Sequence, residues 1–137
     1  MFTKSTIIYI ALSFVLFAYL FQEADSCFLY YKLHVNIYNN LPPIEPPLSV
    51  HCKSKDDDLG NHTLTRNQTW GFSFCLKLFS TLFWCDLYCD GLSLNMVAYD
   101  AKWDYNPCKK GNCTWTIDAY GAKLPKGEMI YWNRPPP

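Results

Sequence analysis

The sequence predicts an all-β fold: a small antiparallel β-sandwich of about seven or eight strands, disulfide-stapled and preceded by a cleaved signal helix. Three observations carry this. Beyond residue 26 the apolar residues recur with a period of two, and no long helical period appears. Turn-forming residues separate the alternating runs at short intervals. Seven cysteines follow a leader-like N-terminus.

The leader comes first. Lys4 precedes an uncharged apolar run, "IIYIALSFVLFAYLF". Its 15 residues are short of the roughly 20 that a bilayer-spanning helix needs. Ala24 and Ser26 then occupy the small-residue positions of an A-x-S cleavage site. Residues 1–26 therefore read as a secretory signal peptide, cut between Ser26 and Cys27. Residues 27–137 form one secreted, extracellular domain of about 111 residues, with no stable membrane insertion after processing.

The strands follow in order. In "YKLHVNIYN", Leu33, Val35 and Ile37 face one way and Lys32, His34 and Asn36 the other. "LPPIEPP" is a loop, because its prolines cannot donate to a ladder. "LSVHCKS" resumes the alternation with Leu48, Val50 and Cys52 on one face. The polar, charged stretch after it reads as a turn closed by Leu59 and Gly60, with residues 61–68 as an exposed loop. "TWGFSF" groups Trp70, Phe72 and Phe74, and "LFWCDLYC" groups Phe83, Cys85 and Leu87. Asp90-Gly91 predicts a two-residue type I′ hairpin leading into "LSLNMVAY". "CTWTID" aligns Cys113, Trp115 and Ile117, and "EMIYW" closes the series.

In an oxidising lumen the cysteines predict disulfides rather than the zinc knuckles that Cys85-x3-Cys89 and Cys108-x4-Cys113 imitate. Cys52 and Cys85 both point inward, so a bridge between their strands is sterically reasonable. It would close a loop of about 33 residues, for roughly 3–4 kcal/mol in the chain-entropy model. Cys108 and Cys113 flank "KKGN", a turn that could bring them together. Seven is odd, and Cys27, at the cleavage point, is the candidate for the unpaired thiol; Cys75 could then meet Cys89 at a sheet edge. Asn61-His-Thr, Asn67-Gln-Thr and Asn112-Cys-Thr are N-glycosylation sequons, the last beside a cysteine.

Several chemistries fit poorly. Removing Lys4, Glu23 and Asp25 from 12 basic and 12 acidic residues leaves 11 and 10, with no basic stripe for nucleic acid. His51 and Cys52 are adjacent in a strand, so their side chains point to opposite faces and cannot pair as base and nucleophile. His34 and His62 have no identifiable nucleophilic partner. Asp56, Asp57 and Asp58 are consecutive rather than alternate, unlike a calcium loop, and Lys53 and Lys55 offset them. No catalytic, metal or cofactor site is expected. Five tryptophans and ten tyrosines could stack on sugars, but Trp70, Trp84 and Trp115 lie within strand patterns, where tryptophan fills the core.

The stretches "VHCKSKDDDLGNHTL", "TWGFSF", "STLFWCD" and "CKKGNCTWTI", in this order, resemble the plant self-incompatibility protein S1 family, the S-protein homologues, over roughly residues 33–132. The resemblance implies a small secreted, disulfide-bonded β-sandwich. In the best understood members it implies a stigma ligand that engages a receptor at the pollen surface and triggers calcium signalling that stops the pollen tube. The family's cysteines match Cys52, Cys85, Cys108 and Cys113, whereas Cys27, Cys75 and Cys89 depart from its pattern. Where the family commonly has Asp-Gly after the strand of Trp115, this chain has "DAYG", a lengthened turn; Tyr131 and Trp132 fit the aromatic end. The expected protein is a monomeric, non-catalytic ligand for a cell-surface receptor protein, recognised through the loops at residues 61–68 and 107–112. The alternative is a secreted development or defence protein, or a carbohydrate-binding module.

Overall fold

The computed structural model describes residues 3–23, 27, 31–108 and 110–134. The apolar N-terminal run forms the helix α1 (Lys4–Glu23). None of its described side chains belongs to the hydrophobic core, and it exposes Ile7, Tyr9, Phe14 and Phe17. No helix among the described residues is long and apolar enough to cross a membrane. The expected cleavage residues Ala24 and Ser26 lie outside the described residues.

Nine strands follow among the described residues: β1 (Lys32–Asn39), β2 (Leu48–Lys53), β3 (Asp58–Leu64), β4 (Thr69–Cys75), β5 (Leu82–Cys89), β6 (Leu92–Asp100), β7 (Asn112–Ile117), β8 (Gly121–Lys123) and β9 (Ile130–Tyr131). They form two sheets, ordered β4-β1-β7-β8-β9 and β3-β2-β5-β6. The fold is the expected all-β sandwich with one addition: β1 and β7 pair in parallel. The chain passes between the sheets through residues 40–47, 65–68, 76–81 and 101–111. Strand β6 runs toward the end of the sandwich where β1 begins, so β7 leaves from that end and runs beside β1 in the same sense.

The segment expected to be loop is partly strand. Strand β3 pairs with β2 from Leu48↔Leu64 to Lys53↔Asp58, confining the turn to residues 54–57. There the Ser54 amide donates to the Asp57 carbonyl (2.8 Å), and the Asp57 amide donates to Ser54 Oγ (3.1 Å). Leu59 and Gly60 thus belong to the strand, not the turn, with Leu59 half-buried against the core. Gly60, at φ +78°, interrupts the alternation and hides the strand from a period-two reading.

Alternate residues of each strand fill the space between the sheets. Val35, Ile37, Leu48, Val50 and Ile117 are fully buried. Phe83 packs against Phe72 and Phe74, with ring centroids 5.0 and 4.7 Å apart. A bulge in the β5–β6 ladder lets Ala98 and Tyr99 both turn inward. The Ala98 carbonyl accepts the Trp115 indole N–H from the opposite sheet (3.1 Å).

Among the described residues, Asn39 is the buried polar one in the core. Its Oδ1 accepts the Leu41 amide and its Nδ2 donates to the Leu64 carbonyl, each at 2.9 Å. Its backbone also exchanges hydrogen bonds with Asn67 and Gln68. One residue therefore joins the end of β1 to the end of β3 and to both loops beside them.

Cys52 and Cys85 are direct cross-strand partners of β2 and β5 and are bridged; Cys108 and Cys113 are bridged across the turn before β7. The remaining cysteines correct the sequence reading. Cys27 is not the unpaired one: it is bonded to Cys75. The register Lys32↔Cys75, with the Leu76 amide donating to the Tyr31 carbonyl, brings the chain entering β1 past the end of β4. Cys89 is buried and unbridged at the opposite end of the other sheet, so Cys75 and Cys89 cannot meet. Its thiol donates to the Pro46 carbonyl (3.4 Å).

Candidate recognition surface

The stretch that most resembles a reactive site does not bring its histidine and cysteine together. Strand alternation sends Cys52 inward to its bridge and His51 outward. His51 Nε2 meets Asp58 Oδ1 at 2.5 Å, and His51 lies between Asn61 and Asp86 in the ladder. The Asp58 carboxyl is held below its ordinary value, first by the Gly60 amide and then by the His51 hydrogen bond. Among the described residues, no group of three or more His, Cys, Asp or Glu side chains is placed to hold a metal ion.

The outer face of the β3-β2-β5-β6 sheet is built from the other phase of the same strands. Phe83, Cys85, Leu87 and Cys89 point inward, which leaves Trp84, Asp86 and Tyr88 outside. The ladder sets Trp84 beside Lys53 and Val97, Asp86 beside His51 and Asn95, and Tyr88 beside Ser49 and Ser93. Tyr88 is 55% exposed, Leu82 and Val97 are each 40% exposed, and Trp84 is half-buried. The hairpin at Asp90 (φ +49°) and Gly91 (φ +78°) places both residues in the left-handed region that a type I′ turn requires. That tight turn fixes the register of the apolar side chains on this face.

The outer face of the other sheet is polar. Its rows are Ser73–His34–Asn112, Gly71–Asn36–Thr114 and Thr69–Tyr38–Thr116. Asn36 Oδ1 and the Val35 carbonyl occupy the space that a Cβ on residue 71 would need. Gly71 lines a shallow depression of about 310 Å³ bordered by His34, Asn36 and Ser73.

The loops expected to act in recognition lie at opposite ends of β1. Residues 65–68 pack beside Tyr38 and Asn39, and Gly111 bonds to His34 near the start of the strand. They do not form one patch. Of the three tryptophans placed in strand patterns, Trp115 is buried, Trp70 stacks on His62 at 4.0 Å and Trp84 lines the apolar face. The exposed Leu82, Tyr88 and Val97 were not singled out from sequence. The signal was there in the outward phase of "LFWCDLYC" for Leu82 and Tyr88 and of "LSLNMVAY" for Val97.

The family model for plant self-incompatibility protein S1 matches residues 34–132. The chain belongs to that family. Among its relatives in Arabidopsis thaliana, S-protein homolog 5 is 36% identical over 109 residues, covering 69% of this chain and 84% of that protein. S-protein homolog 18 is 34% identical over 122 residues, covering 88% and 89%. A solved structure of self-incompatibility protein homologues, described as small, highly stable, secreted plant proteins, superposes with a TM-score of 0.58. At 16% identity, over 77% of this chain and 97% of that one, the match shows the shared fold. This S1-family chain accommodates its "DAYG" departure in a turn where the Asp118 amide donates to the Gly121 carbonyl (2.9 Å). Asp118 Oδ1 accepts the amides of Tyr120 and Gly121, and the Asp118 carbonyl accepts the Trp132 indole N–H (2.9 Å).

Proposed function

We propose that this chain is a secreted plant signalling ligand of the S1 type. It is exported, trimmed between Ser26 and Cys27, and binds a cell-surface receptor protein as a monomer without catalysis. The observation that carries the reading is the outer face of β5 and β6, where Leu82, Trp84, Tyr88 and Val97 stand on one surface. Aromatic side chains on a rigid sheet supply contact area at little conformational cost, which suits a protein partner. Self-pollen rejection is the setting in the family's best understood members; a role in plant development or defence would use the same face.

The test is saturable binding of the labelled secreted protein to plant cells. Tyr88→Ala combined with Val97→Ala should weaken binding about tenfold or more, roughly 1.4 kcal/mol or above, without lowering the melting temperature. Ser73→Ala, on the other sheet, should bind as wild type. Equal binding by both variants would reject this surface. Absence of binding to stigma, pollen, root and embryo cells alike would reject the ligand reading, and a mature N-terminus upstream of Cys27 would reject the processing site.

A further inference from the structure

Two of the three sequons sit at opposite ends of one sheet face. Asn112 is the first residue of β7; its side chain is exposed on the outer face, in register with His34 of β1. Asn67 lies in the turn before β4 and accepts a hydrogen bond on Oδ1 from the Tyr38 hydroxyl (3.0 Å). His34 and Tyr38 are four residues apart on the same face of β1, about 13 Å at 3.3 Å per residue. The central polar rows, Asn36 with Gly71 and Thr114, lie between the two asparagines.

Both positions accept a glycan without rebuilding the fold. The Asn67 carbonyl oxygen, not its nitrogen, meets Tyr38, so attachment at Nδ2 preserves that bond. Its backbone is left-handed (φ +68°), a conformation asparagine tolerates. Asn112 is exposed, and its Nδ2 lies 3.5 Å from the Lys110 carbonyl. Asn61, the third sequon, points outward from the edge strand β3, opposite His51. Two strand spacings, about 10 Å, separate it from β5.

We propose that N-glycans on Asn67 and Asn112 cover the outer face of the β4-β1-β7 sheet from its two ends, on the side of the sandwich away from the β5–β6 face. In each transfer the sugar C1 bonds to asparagine Nδ2 and its bond to the oxygen of a lipid-linked pyrophosphate donor breaks. The amide gives up one proton and the lipid pyrophosphate departs. The protein thereby presents one sugar-coated face and one apolar face. This inference rests on the export proposed above.

The experiment uses the full chain secreted by plant cells treated with a mannosidase inhibitor, so that endoglycosidase H trims each glycan to one sugar. Peptide mass spectrometry reads occupancy, and hydroxyl-radical labelling reads exposure before and after trimming. Both Asn67 and Asn112 should be occupied. Trimming should raise the labelling of His34 and Tyr38 several-fold and leave Trp84 and Tyr88 unchanged. Occupancy of only one site, or of neither, overturns the two-ended cover, as does unchanged labelling of His34 and Tyr38. A chain that remains inside the cell overturns the export reading instead, and occupancy of its two sites then reports on the cover separately.

Discussion

The side-chain amide of Asn39 donates to the Leu64 carbonyl at 2.9 Å inside the sandwich, tying the last residue of β1 to the last residue of β3. Its other end accepts the Leu41 amide. Replacing Asn39 with leucine would keep the branched shape in a larger side chain but leave a buried carbonyl and a buried amide without their partner. The expected loss is about 2–4 kcal/mol, read as a lower denaturant midpoint at unchanged m-value. Asn39→Asp at neutral pH should be worse, because it loses the donor and buries a charge.

Cys89 is the unbridged cysteine among the described residues. Burial pushes its thiol pKa up, and the nearby Glu45 and Asp90 carboxylates push it further. The native protein should therefore resist a thiol reagent at mildly alkaline pH, then release one equivalent on unfolding without reductant. Cys89→Ala should abolish that equivalent. A reactive thiol mapping to Cys27 or Cys75 would contradict the bridge between them.

The pH dependence at Asp58 has a defined sign. Its folded-state pKa is depressed, chiefly by the Gly60 amide and the His51 hydrogen bond. Its contribution to stability is therefore present above the ordinary carboxylate value and lost as pH falls through the lowered one. An NMR titration should place the Asp58 midpoint below that of an unstructured aspartate. His51→Gln should move the midpoint upward, though not fully back, because the Gly60 bond remains.

Gly121 sits at φ +154°, and a Cβ there would collide with the Ile130 carbonyl. Gly121→Ala should cost about 3 kcal/mol. Protection of the amides that pair β8 with β9 should fall first in hydrogen exchange, while the β2–β5 ladder stays protected.

The strands with regular alternation were legible in sequence because one face of each is buried. "YKLHVNIYN" even shows Asn39 in the inward phase of Leu33, Val35 and Ile37, although nothing in sequence says what it bonds. Strand β3 was hidden because it is an exposed edge strand whose pattern Gly60 interrupts. The Cys52–Cys85 pair followed from face assignment, whereas Cys27–Cys75 depends on how the chain enters β1, which no local pattern encodes. The apolar surface on β5 and β6 was missed for a different reason. Alternation identifies which residues share a face, not which of two faces is covered. The parallel pairing of β1 with β7 depended on the whole path between them.

That pairing also sets an order of assembly. As the chain emerges from the ribosome, β1 arrives early but its parallel neighbour β7 arrives last among the long strands. Strand β4 can dock on β1 first, and Cys75 can capture Cys27, while the other flank of β1 stays open. Until β7 emerges, that flank offers unpaired amides and carbonyls to any other nascent chain. A ribosome stalled before residue 112 should therefore hold a chaperone-bound intermediate, and release of the remaining residues should convert it to the native state in one cooperative step.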